Sequence, residues 1–263
     1  MVDVTAIRAP LFVPATRPDR FAKAAQSGAD AVILDLEDAV APEDKAQARQ
    51  ALAKDFTDLP VAVRINASET PFHADDMNAV AALHPTAVFL PKAEKPELVA
   101  KVADGLPGVP VIAIIESALG LANARAIAAL DGVVRLAFGS LDYCVDLGCA
   151  HLRDILLPAR SELVLASKLA GIAPPIDGVT VQMSDLSVSY DDARHARALG
   201  MTGKLCIHPK QILEVMRAFA PTEDEIDWAR RVLAAGDGAA SVDGAMVDEP
   251  VRIRARAILA QLD

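Results

Sequence analysis

Aromatic side chains are scarce in this sequence: seven Phe, two Tyr and one Trp, 4% of the chain. That leaves little surface on which nucleobases could stack. No Lys/Arg-rich block appears, and 36 acidic residues against 26 basic ones give a net charge of −10. Neither a nucleic acid nor an anionic membrane is expected as the main partner. Apolar runs stop well short of the roughly 20 residues a membrane helix needs. The opening MVDVTAIRAP has no apolar stretch of signal-peptide length, so a cytoplasmic protein is expected. Cysteines number three, Cys144, Cys149 and Cys206, without a C-x-x-C pair. Neither a disulfide framework nor a structural zinc site is indicated, and they read as small buried or half-buried residues.

What the 263 residues do contain is a core's worth of apolar side chains, 52% of the chain, in a repeating arrangement. The runs 11–16, 31–38, 61–66, 87–92, 111–117, 135–140, 178–183 and 204–209 are near-continuously apolar, as strands of a parallel sheet covered on both faces should be. Between them lie Ala/Leu-rich segments with apolar residues at helical spacing, most ending near Gly or a turn residue. Eight strand–helix units predict an α/β fold, a (β/α)8 TIM barrel over residues 1–235. A doubly wound open sheet is the rival, disfavoured by the lack of Gly-x-Gly-x-x-Gly after the first strand. Residues 236–263 read as a Gly/Ala-rich loop and a short helix that packs on the barrel or reaches a neighbouring subunit.

Barrel chemistry collects at the C-terminal ends of the strands. There the sequence places Arg17, the trio Asp35, Glu37 and Asp38, then Arg64 with Asn66, Lys92, Glu116 with Ser117, Asp142, Asp185 and His208. Oxygen donors without a His or Cys cluster suit Mg2+, with Mn2+ as an alternative. Glu116 and Asp142 are the chosen ligands, each an isolated acid at the end of its own apolar strand or loop; a helix cap or a salt bridge to Arg64 or Lys92 is the competing reading. Arg64 could clamp a carboxylate or steady an enolate, or pair with the strand-2 acids, roles that are compatible. Glu37 is expected beside the metal-bound waters or Arg64. Arg17 could take a substrate phosphate, with plain solvation an equal reading. The turn Ser117-Ala118 offers backbone amides to an anionic group.

LFVPATRPDRFAKAAQSGADAVILDLEDAV, VRIN, FLPKAE, IIESALGLANA, FGSLDYCVDLG and GKLCIHPKQI, in this order, resemble the citrate lyase β-subunit-like (CitE-like) proteins of the HpcH/HpaI aldolase superfamily, near malyl-CoA and citramalyl-CoA lyases. The resemblance covers nearly the whole chain. It implies a TIM barrel, a Mg2+ ion and a homotrimer or hexamer. It also implies a carbon–carbon lyase that splits a 3-hydroxyacyl-CoA thioester into an acyl-CoA and an α-keto acid. Carried across, the metal ligands fall on Glu116 and Asp142, the enolate-facing arginine on Arg64, and the general acid/base on Asp248 of AMVDEP, supplied by a neighbouring subunit; with CoA and a keto acid implied as ligands, Arg17 and Lys92 are assigned to CoA and the Ser117-Ala118 turn to the keto-acid carboxylate. Leu141 before Asp142 and the run VQMSDLS depart from the common pattern and bear on substrate choice. Two other functions stand beside this one: a pyruvate-enolate aldolase acting on free 4-hydroxy-2-oxo acids, and a non-catalytic citrate-lyase-like subunit.

Overall fold

The computed structural model describes residues 4–236 and 240–262. Residues 1–3, 237–239 and 263, which include part of the expected Gly/Ala-rich loop, lie outside the described residues. The chain forms two compact units, Met1–Arg217 and Ala218–Asp263.

In the first unit eight strands lie side by side in sequence order, all parallel: β1 Pro10–Pro14, β2 Ala31–Asp35, β3 Val61–Arg64, β4 Ala87–Leu90, β5 Val111–Ile115, β6 Val133–Phe138, β7 Ala173–Asp177 and β8 Gly203–Lys204. Beyond β8 the chain returns to β1: Leu11 bridges Cys206, Phe12 N–H donates to Cys206 O and Cys206 N–H to Pro10 O, both at 2.9 Å. Those bonds complete the barrel. Helices α1 Phe21–Ala25, α2 Lys45–Gln50, α3 His73–Leu83, α4 Pro96–Gly105, α5 Ala118–Ala122, α6 Ala124–Ala128, α7 Ser140–Leu147, α8 Arg153–Ala170 and α9 Ser187–Ala198 separate the strands, and α10 Pro209–Phe219 follows the last. Among the described residues, no helix is long and apolar enough to cross a membrane.

Alternation explains the barrel interior. Ala31 and Ile33, Ala87 and Phe89, Ile112 and Ile114, with Ala62, Ala137 and Ile176, form one buried cluster drawn from six strands, joined by Leu205 just after β8. Arg135 is the exception to an apolar interior. It is fully buried near the start of β6, where its guanidinium donates to Pro174 O and Ile7 O at 2.7 Å and to Thr202 Oγ1 at 2.7 Å.

Strand 7 lies five residues before its expected place. The run 178–183 has the better β-composition, yet the strand is Ala173-Pro-Pro-Ile-Asp177. Two prolines argue against a central strand because they cannot donate to the ladder. Here the register shifts between β6 and β7, Pro174 O accepts from Arg135, and Pro175 O accepts from Thr202 N–H. The carbonyls carry the pairing that the missing N–H groups cannot. Carbonyls of the 178–183 run go instead to side chains: Gly178 O to Lys204 Nζ and Thr180 O to Gln211 Nε2.

In the second unit α11 Glu223–Ala234 opens with a capping box between Thr222 and Glu225, and α12 Glu249–Leu259 follows. Where a loop was expected, Ala240–Val242 (β9) and Ala245–Val247 (β10) form an antiparallel hairpin turned by Asp243-Gly244, both at positive φ. Ala229, Val232, Val247, Ala255 and Ile258 make this unit's core.

Candidate active site

The inward faces of three strands run from apolar to charged at one end of the barrel. Asp35 continues the Ala31–Ile33 face, Arg64 follows Ala62, and Glu116 follows Ile112 and Ile114. A cavity of about 350 Å³ opens there. Phe12, Ile114, Phe138, Leu141 and Ile207 line it with apolar surface, and Asp35, Arg64, Glu116 and Asp142 line it with charge.

Arg64 is clamped. Its Nε and Nη2 donate to the two oxygens of buried Asp35 at 2.7 and 2.6 Å, and its guanidinium stacks over Phe12 at 4.6 Å. Asp35 is steadied in turn by the Glu37 and Ala39 amides, at 2.9 and 3.2 Å. The remaining Nη1 lies 3.0 Å from Glu37 Oε2 and 3.5 Å from Asp38. The Glu37 contact has ion-pair distance without hydrogen-bond alignment, so Oε2 is buried with no hydrogen-bond partner. Burial pushes the Glu37 carboxyl up to about 8. Arg64 opposes the shift, while the carboxylates of Asp38, Glu116 and Asp35 add to it. Beneath the pair, Lys45 donates to Leu36 O, Glu37 O and Asn66 Oδ1 at 2.6–2.8 Å, and Asn66 hydrogen-bonds buried Asp76. This scaffold holds the β2 and β3 ends together; Asn66 was legible beside Arg64 in VRIN, whereas Lys45 and Asp76 are ordinary helix residues in the sequence and carry no local motif.

Glu116 and Asp142 meet across Lys92. Lys92 Nζ hydrogen-bonds Asp142 and lies 3.5 Å from Glu116 Oε1, and its backbone N–H, at φ +48°, donates to the same oxygen at 2.8 Å. Burial alone would lower Lys92, but the Glu116 and Asp142 carboxylates hold it above its ordinary value. Burial raises Glu116 to about 6 against Lys92's pull. Gly139 makes room for this acid: a Cβ there would overlap Glu116 Oε2 and Cβ. Sequence reading passed over Gly139, whose signal is only its place between an apolar strand and a helix start.

The other expected site residues are arranged differently. Ser117 Oγ caps α5 by accepting from Gly120 N–H at 3.1 Å, and Ala118 N–H already donates to Asp146 Oδ2 at 2.7 Å. Arg17 is half-exposed and forked onto Asp19 at 2.8–2.9 Å. Asp185 is exposed and caps the turn into α9 through Ser187, and His208 Nδ1 accepts from Lys210 N–H. Asp248, in the second unit, is exposed and caps α12 by accepting from Val251 N–H at 3.1 Å.

A second charge cluster went unread because strand 7 was misplaced. Asp177, at the end of β7, is fully buried against Arg160 Nε at 2.8 Å and Lys204 Nζ at 3.2 Å. Burial would raise it, but Lys204 and Arg160 outweigh burial and hold it below the usual carboxylate range. Next to it Gly178 leaves no space for a Cβ against Ser140 Oγ, and that hydroxyl hydrogen-bonds His151 Nε2 at 2.9 Å. The start of α7, and with it Asp142, is therefore seated on β7.

Residues 8–209 match the family described as HpcH/HpaI aldolase/citrate lyase. A citrate lyase subunit beta-like protein of Mycobacterium tuberculosis is 41% identical over 260 residues, 95% of this chain and 93% of that protein. A (3S)-malyl-CoA thioesterase of Cereibacter sphaeroides is 33% identical, over 97% of this chain and 94% of that one. Among solved structures, CitE from Mycobacterium tuberculosis in complex with magnesium, acetoacetate and coenzyme A superposes with a TM-score of 0.88 at 39% identity, covering 98% of this chain and 99% of that chain.

Proposed function

The chain belongs to the HpcH/HpaI aldolase/citrate lyase family, and from that premise we propose that it reversibly cleaves a 3-hydroxyacyl-CoA thioester of the citramalyl, malyl or citryl type into an acyl-CoA and an α-keto acid. The observation that carries this is the pairing of Glu116 with Asp142 around a positive charge, beside Arg64 at one cavity.

The donor set fits Mg2+. Lys92 Nζ already stands between the two acids as a cation, and Glu116 is a buried carboxylate whose raised pKa marks a demand for more positive charge than Lys92 supplies. Among the described residues no third His, Cys, Asp or Glu joins them. Two carboxylates, with water and substrate oxygens completing the shell, are what Mg2+ ordinarily takes, and Mn2+ would be accepted on the same donors. Bound there, the ion supplies a Lewis acid that lowers the substrate hydroxyl's pKa and polarises the forming keto carbonyl.

Arg64 supplies positive charge to the thioester enolate. Two of its nitrogens are fixed by Asp35, so the guanidinium is oriented before substrate arrives. Phe12, Ile114 and Phe138 keep the surroundings apolar, which strengthens that interaction. Asp248 of a neighbouring copy, in a homotrimer or hexamer, protonates the enolate carbon. Glu37 holds Arg64 from its other edge. The keto-acid carboxylate can use the Ser117-Ala118 turn only by displacing Asp146 from the Ala118 amide. Lys92 serves the acids before it serves CoA, and Arg17 remains the surface candidate for a CoA phosphate.

A screen of citramalyl-, malyl- and citryl-CoA with Mg2+, following keto acid and CoA species together, tests this reading. Matched release of keto acid and acyl-CoA is expected. Free CoA without keto acid would mean thioester hydrolysis, and cleavage confined to free 4-hydroxy-2-oxo acids would mean a CoA-independent aldolase.

A further inference from the structure

The lining of the cavity at the barrel mouth divides by strand. From β2 round to β6 it is charged, with Asp35, Asp38, Arg64, Glu116 and Asp142. From β6 through β7 and β8 to β1, strands that are consecutive around the barrel, it is apolar, with Leu141, Val179, Leu205, Ile207 and Pro14. Leu205 belongs to the barrel-interior cluster and Val179 packs against it, so the core itself forms part of this wall. Leu141 and Ile207 are large apolar side chains left exposed. The cations beside this arc are engaged elsewhere. Lys204 of β8 and Arg160 of α8 are buried on Asp177, and Lys204 also donates to Gly178 O. Among the described residues that line the cavity, Arg64 is the one cation, and Asp35 already holds it. The lining therefore sets four carboxylates against one guanidinium.

We infer that this apolar arc, through Leu141 and Ile207, determines specificity for the substrate's side group: the site takes a thioester whose carbinol carbon carries an alkyl group, methyl or ethyl, and rejects one carrying a second carboxylate arm, as a citryl thioester does. The inference rests on the lyase reading, in which the hydroxyl and carboxylate on that carbon go to Glu116 and Asp142 and the thioester arm to Arg64. The remaining substituent is left to the apolar arc. An alkyl group there buries against Leu141 and Ile207 with no polar atom to satisfy. A carboxylate in the same place loses water, meets no free cation and faces carboxylates of its own sign. The keto acid released carries the same group: hydrogen in glyoxylate, methyl in pyruvate, ethyl in 2-oxobutyrate and carboxymethyl in oxaloacetate.

The test measures binding of these four acids to the full chain in Mg2+ by titration calorimetry, and cleavage of the four matching CoA thioesters. Pyruvate and 2-oxobutyrate are expected to bind about 10-fold more tightly than glyoxylate and about 100-fold more tightly than oxaloacetate, with kcat/KM in the same order. Ile207→Arg, or Leu141→Arg if the first variant folds poorly, puts a cation into the arc and should reverse the preference between 2-oxobutyrate and oxaloacetate. General damage to the fold lowers all four together and leaves that ratio alone. If no thioester is cleaved but the binding order holds, the lyase reading fails and the selective role of the arc stands. Oxaloacetate bound as tightly as pyruvate, no acid bound at all, or a ratio unmoved by the folded variant would overturn the inference, even where every thioester is cleaved.

Discussion

Asp177 closes β7 and Glu116 follows β5; both are nearly fully buried, and each lies against a lysine. Yet Asp177 sits below the ordinary carboxylate range and Glu116 rises to about 6. The difference is in the partners. Arg160 and Lys204 both face Asp177, with Arg160 forked onto its two oxygens. Among the described residues Glu116 is paired with one cation, Lys92 at 3.5 Å, and shares it with Asp142, while Arg64 acts on it more weakly. Glu37, with one buried oxygen left without a hydrogen bond, stands at the same under-paired extreme. One side of the barrel mouth has its charges closed among themselves and reads as structure. The other keeps acids short of cations and open to a cavity, where a ligand can supply what the chain withholds.

The largest expected effect breaks the closed side. Asp177→Ala leaves Arg160 and Lys204 buried without their acid and should cost about 3–5 kcal/mol of stability in urea unfolding. Loss under about 1 kcal/mol would mean that the cluster is not the structural member of the pair. Next, Glu116→Ala breaks the open side. Turnover in the Mg2+-supplemented assay should fall about 10²–10³-fold, worth roughly 2.7–4 kcal/mol, and Mn2+ binding followed by electron paramagnetic resonance should weaken with it. Its urea midpoint should hardly fall, the reverse of the Asp177 variant.

The smallest effect uses pH to set the two sides against each other in metal-free protein. Asp177 is lowered in the fold, so its contribution is present above its unfolded value near 3.8 and lost as pH falls below it. Glu37 is raised, so its contribution is present below about 4.5 and lost as pH rises through about 8. Acid should therefore weaken the β7 side and mild alkali the β2 side. Glu37→Gln should flatten the loss between pH 5 and 9 by on the order of 1–2 kcal/mol, less than so large a shift implies because water reaches the cavity edge. An unchanged slope in thermal unfolding would remove Glu37 from the comparison.

Seven of the eight strands were legible because parallel barrel strands are continuous apolar runs, and the charges ending them could be read directly from those runs. β7 was not, since its two prolines are signals against a strand and only the register shift beside β6 accommodates them. With it went Asp177, whose partners lie 17 and 27 residues away and share no motif with it. The C-terminal hairpin was passed over although Asp243-Gly244 is a turn signal, because Gly and Ala around it masked the short strands. At the site, the sequence pointed to Glu116, Asp142 and Arg64, and the structure places all three around one cavity. The sequence offered a salt bridge to Lys92 as the competing reading of these acids, and the structure has it, one lysine between both; Asp146 on the Ala118 amide could not be read, because such contacts are settled by side-chain geometry across the mouth.

Lys92 has a consequence for the pairing of the two acids. Many small metal sites cannot form until their ion arrives, since bare ligands repel and the chain stays unfolded. Here an ammonium on the chain's own loop reaches both acids, so the two carboxylates stand together with a resident counter-charge. An ion taken up on the proposed ligands would then find a positive charge already standing between them.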